Sequence, residues 1–141
     1  MGASEWYNFA PYQPDVSRAF TETQQRVLTE RDYLEDVHDV GDFETLAELA
    51  ELKEDEEFWE VGTHSILDMH AIGESVEVGV ITAMSPQEVR EEFGTDTPDH
   101  ADFMRYRKTD SYHVERWHGR YAVLYEDGQP HEVVFWGASG D

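Results

Sequence analysis

The stretch RYAVLYEDGQPHEVVFWG (residues 120–137) decides the fold. Residues 120–126 alternate in polarity, Asp127-Gly128 is a hairpin turn pair, and HEVVFWG (131–137) returns as a second run rich in β-branched and aromatic residues. This predicts an antiparallel hairpin. Gln129-Pro130 is expected to lengthen its loop beyond two residues, because proline donates no ladder hydrogen bond.

The flanking segments supply further strands and helices. EWYNFAPY (5–12) is aromatic and ends near Pro11, which reads as a strand leading into a turn. Pro14 and Asp15 then open a helix to about Glu30, with Val16, Ala19, Phe20, Thr23 and Val27 on one buried stripe. A polar connector at 36–42 follows. Asp42 is expected to cap a second helix from Phe43, with Leu46, Ala47, Leu49 and Ala50 on its apolar side and Glu54 to Glu57 at its solvated end. Phe58 and Trp59 are expected to tuck onto the core before Gly62 stops the element.

Residues 63–71 and 76–84 read as two strands separated by Gly73, Glu74 and Ser75. Ser85-Pro86-Gln87-Glu88 is a capping-box pattern whose helix ends at Gly94, and Thr97-Pro98-Asp99 opens another carrying Phe103, Met104 and Tyr106. No internal repeat or linker divides the 141 residues, so the expectation is one α+β domain over 1–141. Its sheet should be largely antiparallel, packed by about four helices and closed by the C-terminal hairpin.

Charge narrows the function. There are 32 acidic residues against 10 Lys+Arg, a formal net charge of −22. Lys53 and Lys108 are the only lysines, and residues 30–60 hold fourteen acids against two bases. A surface of this sign argues against direct binding of nucleic-acid backbones or anionic membranes. It suits a protein kept soluble in concentrated salt, where screening shortens the Debye length to about 3 Å at 1 M. Mimicry of nucleic-acid phosphates would instead gather the acids on one face. No stretch approaches the roughly 18 apolar residues of a membrane span, and Met1 to Phe9 lacks a secretory pattern, so a cytoplasmic location is expected. With no cysteine, thiolate chemistry is excluded, and no phosphate-loop, dinucleotide, nucleophile-elbow or HExxH motif occurs.

Two constellations could carry chemistry. If 63–71 is extended, His64, Ile66, Asp68 and His70 share one face. Two imidazoles and a carboxylate suit a divalent metal such as zinc, with Asp68 and His70 near enough to share it. The plainer reading is the polar side of a sheet. The second is SYHVERWHGRY (111–121), where Arg116, Trp117, His118 and Arg120 join forked guanidinium groups to a stacking face for an anionic ligand. Five of the ten bases (Arg105, Arg107, Lys108, Arg116, Arg120) fall in that neighbourhood. The competing reading is internal pairing with the acidic residues 44–57.

Three segments carry a family resemblance: EWYNFAPYQPD (5–15), EVGTHSILDMH (60–70) and VLYEDGQPHEVVFWGASGD (123–141). In wording and order they resemble an uncharacterised family of small bacterial and archaeal proteins. The resemblance implies one architectural unit spanning opening, centre and tail, and assigns no catalytic residue. The function expected is therefore a non-catalytic binding or regulatory module, of the immunity-protein kind, for a protein or small anionic ligand, needing no cofactor. The alternative is a metal-dependent hydrolase built on His64, Asp68 and His70.

Overall fold

The computed structural model describes residues 4–30, 44–56 and 58–139. In chain order these form β1 (Ser4–Pro11), α1 (Val16–Glu30), α2 (Leu46–Leu52), the single-turn α3 (Phe58–Val61), β2 (Ala71–Gly73), β3 (Val80–Ala83), α4 (Pro86–Phe93), α5 (His100–Tyr106), β4 (Gly119–Glu126) and β5 (Gln129–Ser139). The five strands form one mixed sheet in the order β1-β5-β4-β3-β2. The two long pairings, β1 with β5 and β4 with β5, are antiparallel, whereas the short β2 and β3 run parallel to each other and to β4. This is a single α+β unit with a C-terminal hairpin.

β5 is an interior strand between β1 and β4 with a core on each face, which explains why its apolar run does not alternate in polarity. Val133 and Phe135 point into one core with Phe20, Val27, Leu49, Phe58, Ile66 and Ile81. Val134, Trp136 and Ala138 point into the other, with Phe93, Phe103, Tyr106 and Leu124. The hairpin turn is tighter than the sequence suggested. Asp127 and Gly128 both have positive φ (52° and 76°), and Glu126 pairs directly with Gln129, giving a two-residue turn of the primed type. Pro130 is accommodated at a register shift beside Tyr125 and does not lengthen the loop.

Helix boundaries follow their caps. Asp15 accepts from the Arg18 N–H at the start of α1 (3.1 Å), and the capping boxes at Ser85/Glu88 and Asp99/Asp102 open α4 and α5. Gly94, at φ 75°, ends α4. The second helix is a correction. It starts at Leu46 with Thr45 as its cap, and it buries Leu49 while Ala47 and Ala50 are exposed. The expected cap Asp42 and the connector at 36–42 lie outside the described residues. Phe58 is buried and Gly62 (φ 69°) ends α3, as anticipated.

The central strand is the larger correction. Residues 63–70 form a loop containing a 3₁₀ turn at Ile66–Asp68, and β2 begins only at Ala71. Side chains there satisfy backbone groups locally and so compete with sheet pairing. The Ser65 hydroxyl accepts from the Leu67 N–H (3.1 Å), and Asp68 reaches back to the amides of Thr63 and His64. His64 itself sits at φ 56°, outside the extended region. Residues 76–79 precede β3 as a loop and turn, so 71–83 is not a hairpin across Gly73 to Ser75.

Candidate functional site

The loop that replaces the expected strand is built around one buried carboxylate. Asp68 is fully buried, and its oxygens accept from the Thr63 N–H (2.6 Å), the Thr63 hydroxyl (2.8 Å), the His64 N–H (2.9 Å) and the Ser139 hydroxyl. Burial raises its pKa above the usual carboxylate range, while the bonds from Ser139 and Thr63 and the charge of Lys53 act in the opposite direction. Lys53 lies just past α2 and donates from Nζ to the Met69 carbonyl (2.6 Å), which Gln24 Nε2 also meets at 2.9 Å. Burial lowers the Lys53 pKa to about 8, with Asp68 opposing the shift. The fold thus joins α1, α2, the loop and the end of β5 through a polar centre.

Aromatic rings lie beside this centre. Trp59 meets Trp117 edge to face (5.1 Å between ring centres, 82°) and His70 at 5.1 Å and 57°. The Trp59 indole N–H donates to the Lys53 carbonyl (2.9 Å). Trp117 adopts φ 66°, a conformation rare for a bulky residue. Two short backbone bonds hold it there, from its own N–H to the Ala138 carbonyl and from the Gly79 N–H to its carbonyl, each 2.7 Å. Glycines make room for the rings: a Cβ on Gly62 would stand 2.6 Å from Trp117 Cη2, and one on Gly79 would stand 2.2 Å from His70 Cδ2. Burial, with the charge of Lys53 second, lowers the His70 pKa below its ordinary value.

His64, Asp68 and His70 therefore do not share a strand face. Both Asp68 oxygens are engaged below the surface, and His70 projects outward against Gly79. Among the described residues no group of three or more His, Asp or Glu is arranged to hold a metal ion.

The basic neighbourhood also differs from the expectation. Arg120 forks onto both Glu88 oxygens at 2.9 Å and donates to the Ala83 carbonyl at 3.0 Å. That guanidinium, with the Ser85 cap, pulls Glu88 down to about 2. Arg105 pairs with Asp102, and Arg107 lies 4.0 Å over the Tyr7 ring. Arg120 and Arg105 are thus paired internally, with Glu88 and Asp102 as their carboxylate partners. His118 and Arg120 line a cleft of about 370 Å³ with Val76, Val80 and Val114, on the sheet face opposite the aromatic rings. His118 Nδ1 lies 2.8 Å from the Arg116 carbonyl. Of the four residues proposed from sequence for an anion site, Trp117 instead joins the ring cluster near Asp68.

Sequence reasoning missed Trp59, Lys53 and Ser139 as members of this region. Lys53 carried a signal, as a lone lysine within the most acidic stretch. Ser139 carried none, being 71 residues from Asp68. No family model, curated protein or solved structure matches the chain.

Proposed function

We propose that this chain is a non-catalytic binding module, adapted to concentrated salt and acting in the cytoplasm, whose recognition surface is the end of the sheet where the loops 62–70, 74–79 and 113–118 meet. One observation carries this reading. At that end, Trp117 on a strained backbone and the partly exposed rings beside it stand over a carboxylate whose hydrogen-bonding capacity is already used. An acid with four internal donors is organised to hold a surface in shape, and backbone strain tends to accumulate at ligand clamps. The cleft lined by Val76, Val80 and Val114 opens at the same end on the other face of the sheet, and with the exposed Val76 and Val78 it favours a protein partner over a small anion, since Arg120 is neutralised by Glu88.

Exposed acids on α1, α2, α4 and the loops at 54–56 and 74–77 lie on several sides of the domain, which supports salt adaptation over a one-faced phosphate mimic. The resemblance to the family of small bacterial and archaeal proteins belongs to this reading. Its opening and tail segments pair as β1 and β5, and its central segment bonds to the tail through Asp68 and Ser139. Elemental analysis of protein purified without chelator tests the module against the hydrolase. Sub-stoichiometric metal supports the module. One equivalent of zinc, manganese or iron that disappears in His64→Ala or His70→Ala overturns it.

A further inference from the structure

We propose that Trp59, Trp117 and His70 form a three-walled aromatic box that binds a fully alkylated ammonium group. The proposal rests on the binding-module reading and names the ligand chemistry of that surface. Trp59 is the back wall, touching both other rings at 5.1 Å, and among the described residues no ring contact joins Trp117 to His70. The two flanking walls are instead joined through the backbone of Gly79, which accepts from the His70 N–H at 2.6 Å and donates to the Trp117 carbonyl at 2.7 Å. Gly62 and Gly79 have no side chain that could occupy the space in which the flanking rings rest. His70 is exposed and both tryptophans are only partly buried, so ring surface is reachable from solvent.

The ring faces select a cation, because their π quadrupoles present negative potential and tryptophan is the strongest side chain in this respect. Burial, with the charge of Lys53 second, holds His70 below its ordinary pKa and so favours its uncharged aromatic form. The nearby Lys53 ammonium is turned onto the Met69 carbonyl, with the Asp68 carboxylate offsetting its charge. The surrounding acids raise the local concentration of cations, with Glu77 and Glu115 each two residues from a box element. Hydrogen bonding then selects which cation. A primary ammonium needs acceptors for its N–H groups, but the Asp68 carboxylate beneath the box is filled by four donors, and the Trp59 indole nitrogen is itself a donor. A quaternary or trimethylated ammonium has no N–H to satisfy and sheds its weak hydration easily, so it suits these walls better than Na⁺, K⁺ or an unmodified lysine. The group could come from a free choline-like molecule or from a trimethylated lysine on a partner protein.

The test is a titration in buffer with about 1 M KCl, where diffuse attraction to the acidic surface is screened. Choline is compared with its neutral isostere 3,3-dimethylbutan-1-ol, following tryptophan fluorescence and the indole and imidazole NMR resonances. A trimethyllysine peptide and its unmethylated form make a second pair. Saturable choline binding at least about tenfold tighter than the alcohol is expected, with about tenfold loss in Trp117→Ala or Trp59→Ala. His70→Ala, at an exposed position, provides a variant that keeps its fold if a tryptophan variant does not, and it too should weaken choline binding. Tighter binding of the methylated peptide than of choline would identify a protein-borne group, and the reverse a free one. Equal response to choline and the alcohol, no saturable response to either methylated probe, or choline binding unchanged in folded His70→Ala and Trp59→Ala would each overturn the box. The binding-module reading would survive those results, since only stoichiometric metal refutes it.

Discussion

Replacing Asp68 should reveal how much of the fold depends on one carboxylate. In Asp68→Ala the buried Thr63 N–H and Ser139 hydroxyl and the half-buried His64 N–H all lose their acceptor, while Thr63 Oγ1 retains the Ser65 hydroxyl at 2.8 Å. Each stranded buried donor costs about 1–3 kcal/mol. Relief of the buried charge, evident in its raised pKa, returns part of this. The net expectation is a loss of about 3 kcal/mol, equivalent to a fall in Tm of about 10 °C for a domain of this size. Asp68→Asn should lose about half as much, because the amide oxygen still accepts from Thr63 while its NH₂ opposes the His64 N–H. Urea unfolding followed by tryptophan fluorescence, in fixed high salt, measures both. The pH dependence adds a second signature. The folded pKa lies above the unfolded value, so the folded state takes up the proton first, and wild type should gain on Asp68→Asn as pH falls from neutrality towards about 4. Two variants within about 0.5 kcal/mol of wild type at neutral pH would refute the reasoning, because unpaired donors in the interior cannot be that inexpensive.

Lys53 gives the opposite pH signature. Its pKa of about 8 lies below the unfolded 10.5, so the folded state releases a proton that the unfolded chain retains, and stability should rise from pH 8 to 10 in wild type and not in Lys53→Met, read from urea midpoints. Gly128→Ala should lose about 1 kcal/mol with no steric contribution, since a Cβ there meets nothing within 4 Å and only the positive φ opposes it, as a thermal melt would show. The triple variant Glu51→Gln, Glu54→Gln, Glu56→Gln should be about 1 kcal/mol more stable than wild type in low salt and should show a shallower gain towards molar KCl. A wild-type melting temperature independent of salt would count against salt adaptation.

What could be read from the sequence divides along a physical line. The hairpin, α1, α4 and α5 were legible because local chemistry specifies them: Asp127-Gly128 fixes a turn, while Asp15, Ser85 and Asp99 fix helix starts. The segment 63–71 misled because its alternation of polarity imitates a strand, while Ser65 and Asp68 bond to nearby amides and bend the chain. Asp68 was marked from the sequence as a candidate metal ligand, and the structure places it as a buried acceptor for donors of its own loop and of β5, an arrangement that residue spacing does not reveal. Trp117 was marked as the stacking face of an anion site, but its neighbours Trp59 and His70 come from α3 and the 63–70 loop, and nothing in sequence spacing brings three such rings together. The parallel pairing of β2 with β3 across only six intervening residues ran against the usual need for a longer crossover.

The placement of β5 has a consequence for how the chain acquires its structure. The last of the described strands in order of synthesis lies between β1 and β4, and its partners include the first, with Ser4 opposite Ser139. During translation β1, β3 and the helices emerge before the strand that both cores are built upon. Closing a loop of that length is entropically demanding, and long-range pairing of this kind slows folding. Until β5 arrives, the apolar faces of α1 and α5 have only part of their eventual cover. The high density of like charge on the nascent segments would then keep neighbouring incomplete chains apart, protecting the polypeptide during the interval in which aggregation is the main hazard.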